Sequence, residues 1–141
     1  MTQISSENKR PLMISVLAII AIAFGALTLF SGGRNLFDST VIAEAGNTIA
    51  FVLWFNFLAG FAYIAAGVLL WKWKICGVRL SAVIAGATLL VFLAMGIYVI
   101  QFDGLYNAKT VGAMVLRSAV WLLIAVLARG YWQKYRAKKA A

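Results

Sequence analysis

The sequence predicts an all-α integral membrane protein, with four transmembrane helices in an up-down-up-down bundle and both termini in the cytoplasm. The chain has 141 residues, of which 64% are hydrophobic and 12% are charged, and its mean hydropathy is +0.93. Soluble domains have about 45–50% apolar and about 25% charged residues. Four apolar runs also reach the length of about 20 residues that crosses a hydrocarbon layer of about 30 Å. We therefore expect a single membrane domain over residues 1–141.

Each apolar run is predicted to form one helix, because backbone groups inside a membrane must be hydrogen-bonded within their own segment. The predicted spans cover about residues 12–30, 49–70, 78–102 and 111–128. The first span follows Lys9 and Arg10, as the apolar core of a signal peptide would. Its 19 residues exceed the usual signal core of about 7–15, so we expect it to be retained as a signal-anchor helix.

The basic residues fall mainly on one side of the predicted bundle. Ten of the 13 lie there, and they are Lys9, Arg10, Lys72, Lys74, Arg79, Arg129, Lys134, Arg136, Lys138 and Lys139. The positive-inside rule assigns that side to the cytoplasm, and we expect a multi-pass protein of the bacterial inner (plasma) membrane. The net charge of +9 is interpreted as a topology signal. The basic tail, residues 129–141, is expected to lie on anionic headgroups, and no nucleic-acid partner is expected.

Two interpretations of the predicted outer loop, residues 31–48, remain open. In one, a short helix starts at Asp38 or Ser39 and ends at Gly46. In the other, the segment is a plain connection. The remaining connections are short, which favours antiparallel neighbours.

Small residues recur at helical spacing within the spans, among them Gly25, Gly60 and Gly67. Helices in lipid associate through close backbone contact, which small residues permit. We expect these positions to form internal packing seams rather than a dimer interface.

Arg117 is the one charged residue of the fourth predicted span. It lies eight residues beyond Lys109, or about 12 Å along a helix with a rise of about 1.5 Å per residue. An arginine at mid-bilayer costs about 3 kcal/mol on insertion scales, so it needs water or a polar partner. Asn56 lies at a similar depth in the second span, on a helix face that it shares with Gly60, Tyr63 and Gly67.

These positions predict a polar cluster in the outer leaflet. Its members are Arg117, Asn56, Tyr63, Tyr98, Gln101, Glu44 and Asp103. Two roles remain open for the cluster. In the structural role, Arg117 pairs with Glu44 or Asp103 and locks the bundle. In the ligand-binding role, the cluster lines a cavity that is open to the outside and receives an anionic or polar ligand.

The residue inventory excludes several kinds of chemistry. The chain has no histidine, which excludes a bis-histidine haem, a His-rich copper site and a histidine general base. Its single cysteine, Cys76, has no partner for a disulfide within the chain. Neither a phosphate-binding loop nor a dinucleotide fingerprint is present. We therefore predict no catalytic residue, no metal site and no cofactor, and a non-enzymatic role is favoured.

The function expected from these features is that of an accessory or interaction subunit of a membrane complex. Its partners would be membrane lipids and either other membrane subunits or further copies of the chain. Two alternatives stay open. One is a small oligomeric transporter or channel for a polar or anionic solute, since four helices enclose little pathway alone. The other is a membrane enzyme in which Arg117 holds an anionic lipid or conjugate.

Overall fold

The computed structural model describes residues 10–45, 49–103 and 108–141. These residues form the helices α1 (Leu12–Phe37), α2 (Ser39–Ala45), α3 (Ala50–Trp71), α4 (Ile75–Gln101) and α5 (Ala108–Ala140). In the described part of the chain, every one of these helices except α2 is long and apolar enough to cross a membrane. The prediction of an all-α chain with four helices capable of spanning a membrane is confirmed at that level.

Two helices continue by seven or more residues past the predicted ends of their spans. α1 includes residues 31–37, which were predicted to lie in the outer loop. Gly32 does not end the helix, because it is buried against α3, where an added Cβ would lie 3.3 Å from the Cα of Phe57. Close packing between the helices offsets the low helix propensity of glycine. α5 continues to Ala140, so the basic tail extends the helix of the fourth span instead of forming a separate segment.

The connection between α1 and α3 contains the predicted short helix, α2. Asp38 precedes α2 and caps it, because its Oδ1 accepts hydrogen bonds from the Thr40 hydroxyl (2.6 Å) and the Thr40 backbone N–H (3.1 Å). These hydrogen bonds, that of the hydroxyl above all, hold the pKa of the Asp38 carboxyl below its ordinary value of 3.8. Gly46, the predicted end of this helix, lies outside the described residues.

α1 and α3 pack together along a seam of small residues. Gly25 lies against Gly60 and Ile64, and Gly67 lies against Ala18. The contacts therefore run in opposite sequence order along the two helices. The predicted internal seam is confirmed at these glycines, since each sits where an added Cβ would meet the neighbouring helix.

Aromatic and basic side chains meet at one end of the bundle. The Arg10 guanidinium lies 3.6 Å from the centroid of the Trp71 ring and donates a hydrogen bond to the Trp71 carbonyl oxygen. Trp73, in the turn between α3 and α4, packs against Trp132 and Tyr135 of α5, with ring centroids 5.1 and 5.9 Å away. These contacts connect the start of α1, the end of α3 and the last part of α5.

The other end of the bundle holds a smaller apolar cluster. Ile49, Val52, Met95 and Met114 are buried together there, between α3, α4 and α5. α4 packs against α3 and α5, whereas α1 packs mainly against α3. This arrangement leaves room between α1, α2, α3 and α5, and the candidate site lies in that space.

Candidate functional site

A cavity of about 340 Å³ lies between α1, α2, α3 and α5. Small-molecule sites have volumes of about 300–1,000 Å³, so this cavity suits a small solute or a lipid headgroup. It is lined by Ser31, Gly32, Asn35, Val41, Glu44, Leu53, Asn56, Lys109, Thr110, Ala113 and Arg117. The structure thus brings three members of the predicted cluster together, namely Arg117, Asn56 and Glu44.

α5 presents Arg117 to the cavity on the same helix face as Lys109 and Thr110, which lie eight and seven positions earlier. The Arg117 side chain is half-buried, and its Nε atom is buried without a hydrogen-bond partner among the described residues. No carboxylate in the described ranges comes within the ion-pair limit of 4.0 Å from Arg117. The pairing with Glu44 or Asp103 that the structural role requires is therefore not formed.

Asn56 reaches the cavity from α3. The residue is only 6% exposed, and its Oδ1 atom has no hydrogen-bond partner in the part of the chain that the structure describes. The face that it was predicted to share with Gly60, Tyr63 and Gly67 is buried throughout, so this face turns inward. A buried acceptor without a donor costs about 1–3 kcal/mol, so the Asn56 oxygen favours a ligand or water that donates to it.

Tyr63 does not line the cavity but lies deeper in the bundle. It is fully buried, and its ring centroid lies 4.7 Å from that of Trp121. Its hydroxyl lies beside Thr88, without hydrogen-bond geometry, and close enough to Arg117 for an electrostatic interaction. The hydroxyl of Ser118 and the indole N–H of Trp121 are also buried without a partner among the described residues. We call Tyr63, Thr88, Ser118 and Trp121 the deep polar group.

The remaining members of the predicted cluster do not reach the cavity. Tyr98 is 41% exposed and packs against Phe51 and Phe102. Gln101, the last residue of α4, and Asp103, just beyond it, are both exposed. α4 packs on α3 and α5 and contributes none of the lining residues. A residue's distance from the end of a span gives its depth, but the packing of α4 decides which way its side chains turn.

Asn35 and Thr110 line the cavity although neither is a member of the predicted cluster. Asn35 lies on the part of α1 that was predicted to be a loop, and its Nδ2 donates to the Ser31 carbonyl oxygen at 2.8 Å. Ser31 and Asn35 are four residues apart. A prediction that extended α1 over both residues would have placed them on one helix face. The same argument applies to Thr110, since it lies two helical turns before Arg117.

The cavity wall carries charges of both signs. Arg117 and Lys109 are cations and Glu44 is an anion, so two positive charges and one negative charge leave a net charge of +1 on the wall. A positive site with low-dielectric walls attracts anions, and the guanidinium group binds carboxylates and phosphates through two parallel hydrogen bonds. The arrangement can therefore hold an oxyanion.

Neither metal-ligand geometry nor the comparisons with known proteins specify which oxyanion the cavity would hold. Across residues 10–45, 49–103 and 108–141, no group of three or more His, Cys, Asp or Glu side chains is placed to hold a metal ion. No family model, curated protein or solved structure matches the chain.

Proposed function

We propose that this chain is a multi-pass membrane protein that acts as an accessory subunit and binds an anionic group in the cavity around Arg117. One observation carries the proposal. The Arg117 guanidinium lies on the wall of a cavity within the bundle and is not neutralised by any carboxylate of the described residues. A charge in a membrane helix costs about 3 kcal/mol when nothing compensates it. A bound oxyanion would offset this cost through charge-assisted hydrogen bonds.

The proposal includes the topology. The four spans would cross the membrane in alternating directions, with both termini in the cytoplasm of a bacterium and the cavity on the opposite side of the inner membrane. Two features support this arrangement. The contacts between α1 and α3 run in opposite sequence order, and the tail of α5 that carries Lys138 and Lys139 follows the positive-inside rule.

The accessory role is proposed because few of the described lining side chains are of types that act in catalysis. The lining residues that the structure describes include no cysteine, histidine or tyrosine, and Glu44 and Lys109 are the only ones of a type that can act as a general base. Binding, in contrast, needs only the cation, the amide and the hydroxyl groups that the cavity has. We therefore propose that the cavity holds a lipid or solute that links this chain to a membrane complex.

The test is purification in a mild detergent, followed by native mass spectrometry of bound lipids, solutes and proteins. Wild-type protein is expected to carry an anionic ligand, and Arg117→Gln is expected to accumulate normally but lose it. Arg117→Lys keeps the charge and should retain part of the binding, although a lysine cannot replace the guanidinium fork. Arg129→Gln, at an exposed position of α5 outside the cavity, is the matched control and should bind like the wild type. Retention of the ligand by Arg117→Gln would contradict the proposal.

A small oligomeric transporter for a polar or anionic solute is the second candidate. The deep polar group favours it, because these unpartnered polar atoms extend the polar surroundings of Arg117 toward the interior of the bundle. Purified chain in liposomes would then support flux of a labelled anion that Arg117→Gln abolishes. Absence of flux in liposomes, together with retained ligand binding in detergent, would favour the accessory role.

A further inference from the structure

We infer that the ligand of the cavity is zwitterionic, with an oxyanion and a primary or secondary ammonium group in the same small molecule or headgroup. This inference rests on the proposed function, since it specifies which anion the cavity around Arg117 receives. It goes further by assigning a role to Glu44 and to the oxygen of Asn56. An anion without N–H or O–H groups would use neither of these groups.

The first argument is the state of the two opposite charges. Arg117 and Glu44 line the same cavity, yet no ion pair joins them, and neither has another ion-pair partner among the described residues. Oppositely charged side chains that share a cavity without meeting can both be neutralised by one ligand that carries both charges. The oxyanion would lie at the half-buried Arg117, and the ammonium group would lie toward the exposed Glu44.

The second argument is the balance of hydrogen-bond donors and acceptors. The Glu44 carboxylate and the Asn56 Oδ1 atom are acceptors, and the latter is buried without a donor. A fully ionised oxyanion has no N–H or O–H group to offer them. An ammonium group supplies up to about three donors, so it satisfies the acceptor side of the wall while the oxyanion satisfies Arg117.

The third argument distinguishes between classes of ammonium group. A quaternary ammonium has no N–H donor and is bound in proteins by surrounding aromatic rings. None of the described residues that line the cavity is aromatic. The wall therefore favours an ammonium group that retains its hydrogens, as in ethanolamine phosphate, over a trimethylated one, as in choline phosphate.

The ligand can come from the membrane or from solution, and the experiment separates the two sources. Purified wild-type protein is titrated by calorimetry with ethanolamine phosphate, choline phosphate and inorganic phosphate. In a parallel set, nanodiscs of phosphatidylethanolamine, phosphatidylcholine or phosphatidylglycerol are examined by native mass spectrometry for retained lipid. In the set that matches the ligand's source, the probe with the unmethylated ammonium group is expected to bind about tenfold more tightly than its two counterparts. A hydrogen bond to a charged group contributes a free energy of that size. Preference in the soluble set would identify a solute, and preference in the lipid set would identify a headgroup.

Variants separate this inference from the proposed function. Glu44→Gln is expected to weaken binding of the ethanolamine probe about tenfold and not to weaken binding of inorganic phosphate, which the Glu44 carboxylate repels. Arg117→Gln should weaken binding of both. Asp103→Asn removes an exposed carboxylate that does not line the cavity and should change neither. If Glu44→Gln has no effect, or if phosphate alone binds as tightly as the ethanolamine probe, the zwitterionic ligand is overturned while anion binding stands. If Arg117→Gln has no effect on any probe, the proposed function fails as well.

Discussion

Gly25 of α1 lies directly against the carbonyl oxygen of Gly60 on α3, such that an added Cβ on Gly25 would come within 2.9 Å of that oxygen. The same Cβ would lie 2.7 Å from Cγ1 of Ile64. This approach fixes the distance between α1 and α3 one helical turn from Asn56. The seam therefore sets the width of the cavity, because Ser31 and Asn56 line it from the two helices that the seam joins.

A methyl group at Gly25 is expected to destabilise the bundle. Gly25→Ala meets a backbone oxygen that has little room to move, and overpacking of this kind costs about 1–3 kcal/mol in the free energy of unfolding. Gly86→Ala on α4 is the matched control, since nothing lies within 4 Å of its added Cβ. It should be neutral or slightly stabilising, because alanine has the higher helix propensity. Thermal unfolding in detergent measures the stability of both variants. Equal unfolding midpoints would contradict the close contact between α1 and α3 at Gly25.

The meeting of Arg117 and Asn56 at one cavity could be predicted from the sequence, but the rotation of the other polar residues about their helix axes could not. Arg117 and Asn56 line one cavity, and the sequence predicts this proximity because each residue lies a similar number of residues from the start of its span. Tyr98 and Gln101 have a suitable depth, yet α4 turns them away from the cavity. Helix rotation follows from side-chain packing between helices, and hydropathy contains no information about it.

The extension of α1 was missed for a related reason. Ser31, Gly32 and Gly33 look like the end of a helix in a sequence, since glycine is a poor helix former. In the structure, Gly32 is buried against Phe57, and that contact exists only after α1 and α3 have packed. Asn35 enters the cavity as a consequence. Local sequence patterns therefore could not predict the part of the site that depends on this tertiary contact.

Trp73 adopts a backbone conformation that usually belongs to glycine. Its φ is 51°, its N–H donates to the Leu70 carbonyl oxygen, and the Lys74 N–H donates to that of Leu69, which is the Schellman arrangement at a helix C-terminus. The ring contacts with Trp132 and Tyr135 compensate for the cost of a left-handed non-glycine residue.

Two substitutions of Trp73 should therefore separate the contribution of its ring to stability from the cost of its backbone conformation. Trp73→Ala loses the ring packing and keeps the strained conformation, whereas Trp73→Gly loses the ring but relieves the strain. The alanine variant is expected to be less stable than the glycine variant by about 1–2 kcal/mol. In a helix interior, glycine would be the less stable of the two, so the sign of the difference identifies the left-handed position. Unfolding midpoints of both variants and the wild type provide the measurement.

The cap of α2 should depend on pH through Asp38. Its pKa is lowered by the hydroxyl and backbone hydrogen bonds of Thr40, so the cap contributes stability above the ordinary pKa and loses it as the pH falls through the lowered value. Thr40→Val removes the hydroxyl donor and is expected to raise the pKa of Asp38 toward its ordinary range. NMR titration of the Asp38 carboxyl carbon in the two proteins measures the change. An identical titration midpoint would show that the Thr40 hydroxyl does not stabilise the carboxylate.

Ser118 tests whether the polar interior beneath the cavity is hydrated. Its side chain is 6% exposed and its hydroxyl has no hydrogen-bond partner among the described residues. Buried polar atoms of this kind are commonly satisfied by ordered water. A cysteine at this position would then ionise and react with a membrane-impermeant, anionic thiosulfonate added from the cavity side, because only the thiolate is nucleophilic. The experiment uses a Cys76→Ser background, since Cys76 is the chain's single cysteine and is exposed.

Val115→Cys in the same background is the control. Val115 lies three residues nearer the start of α5 than Ser118 does, but its side chain is 51% exposed on the outside of the bundle, where lipid is expected. Ser118→Cys should therefore react faster than Val115→Cys although it lies deeper. The reaction at Ser118→Cys should also slow when a cavity ligand is added, because the ligand would block the route past Arg117. Faster labelling at Val115→Cys would mean that access follows depth alone, and that the unpartnered atoms beneath the cavity are not reached by water from outside.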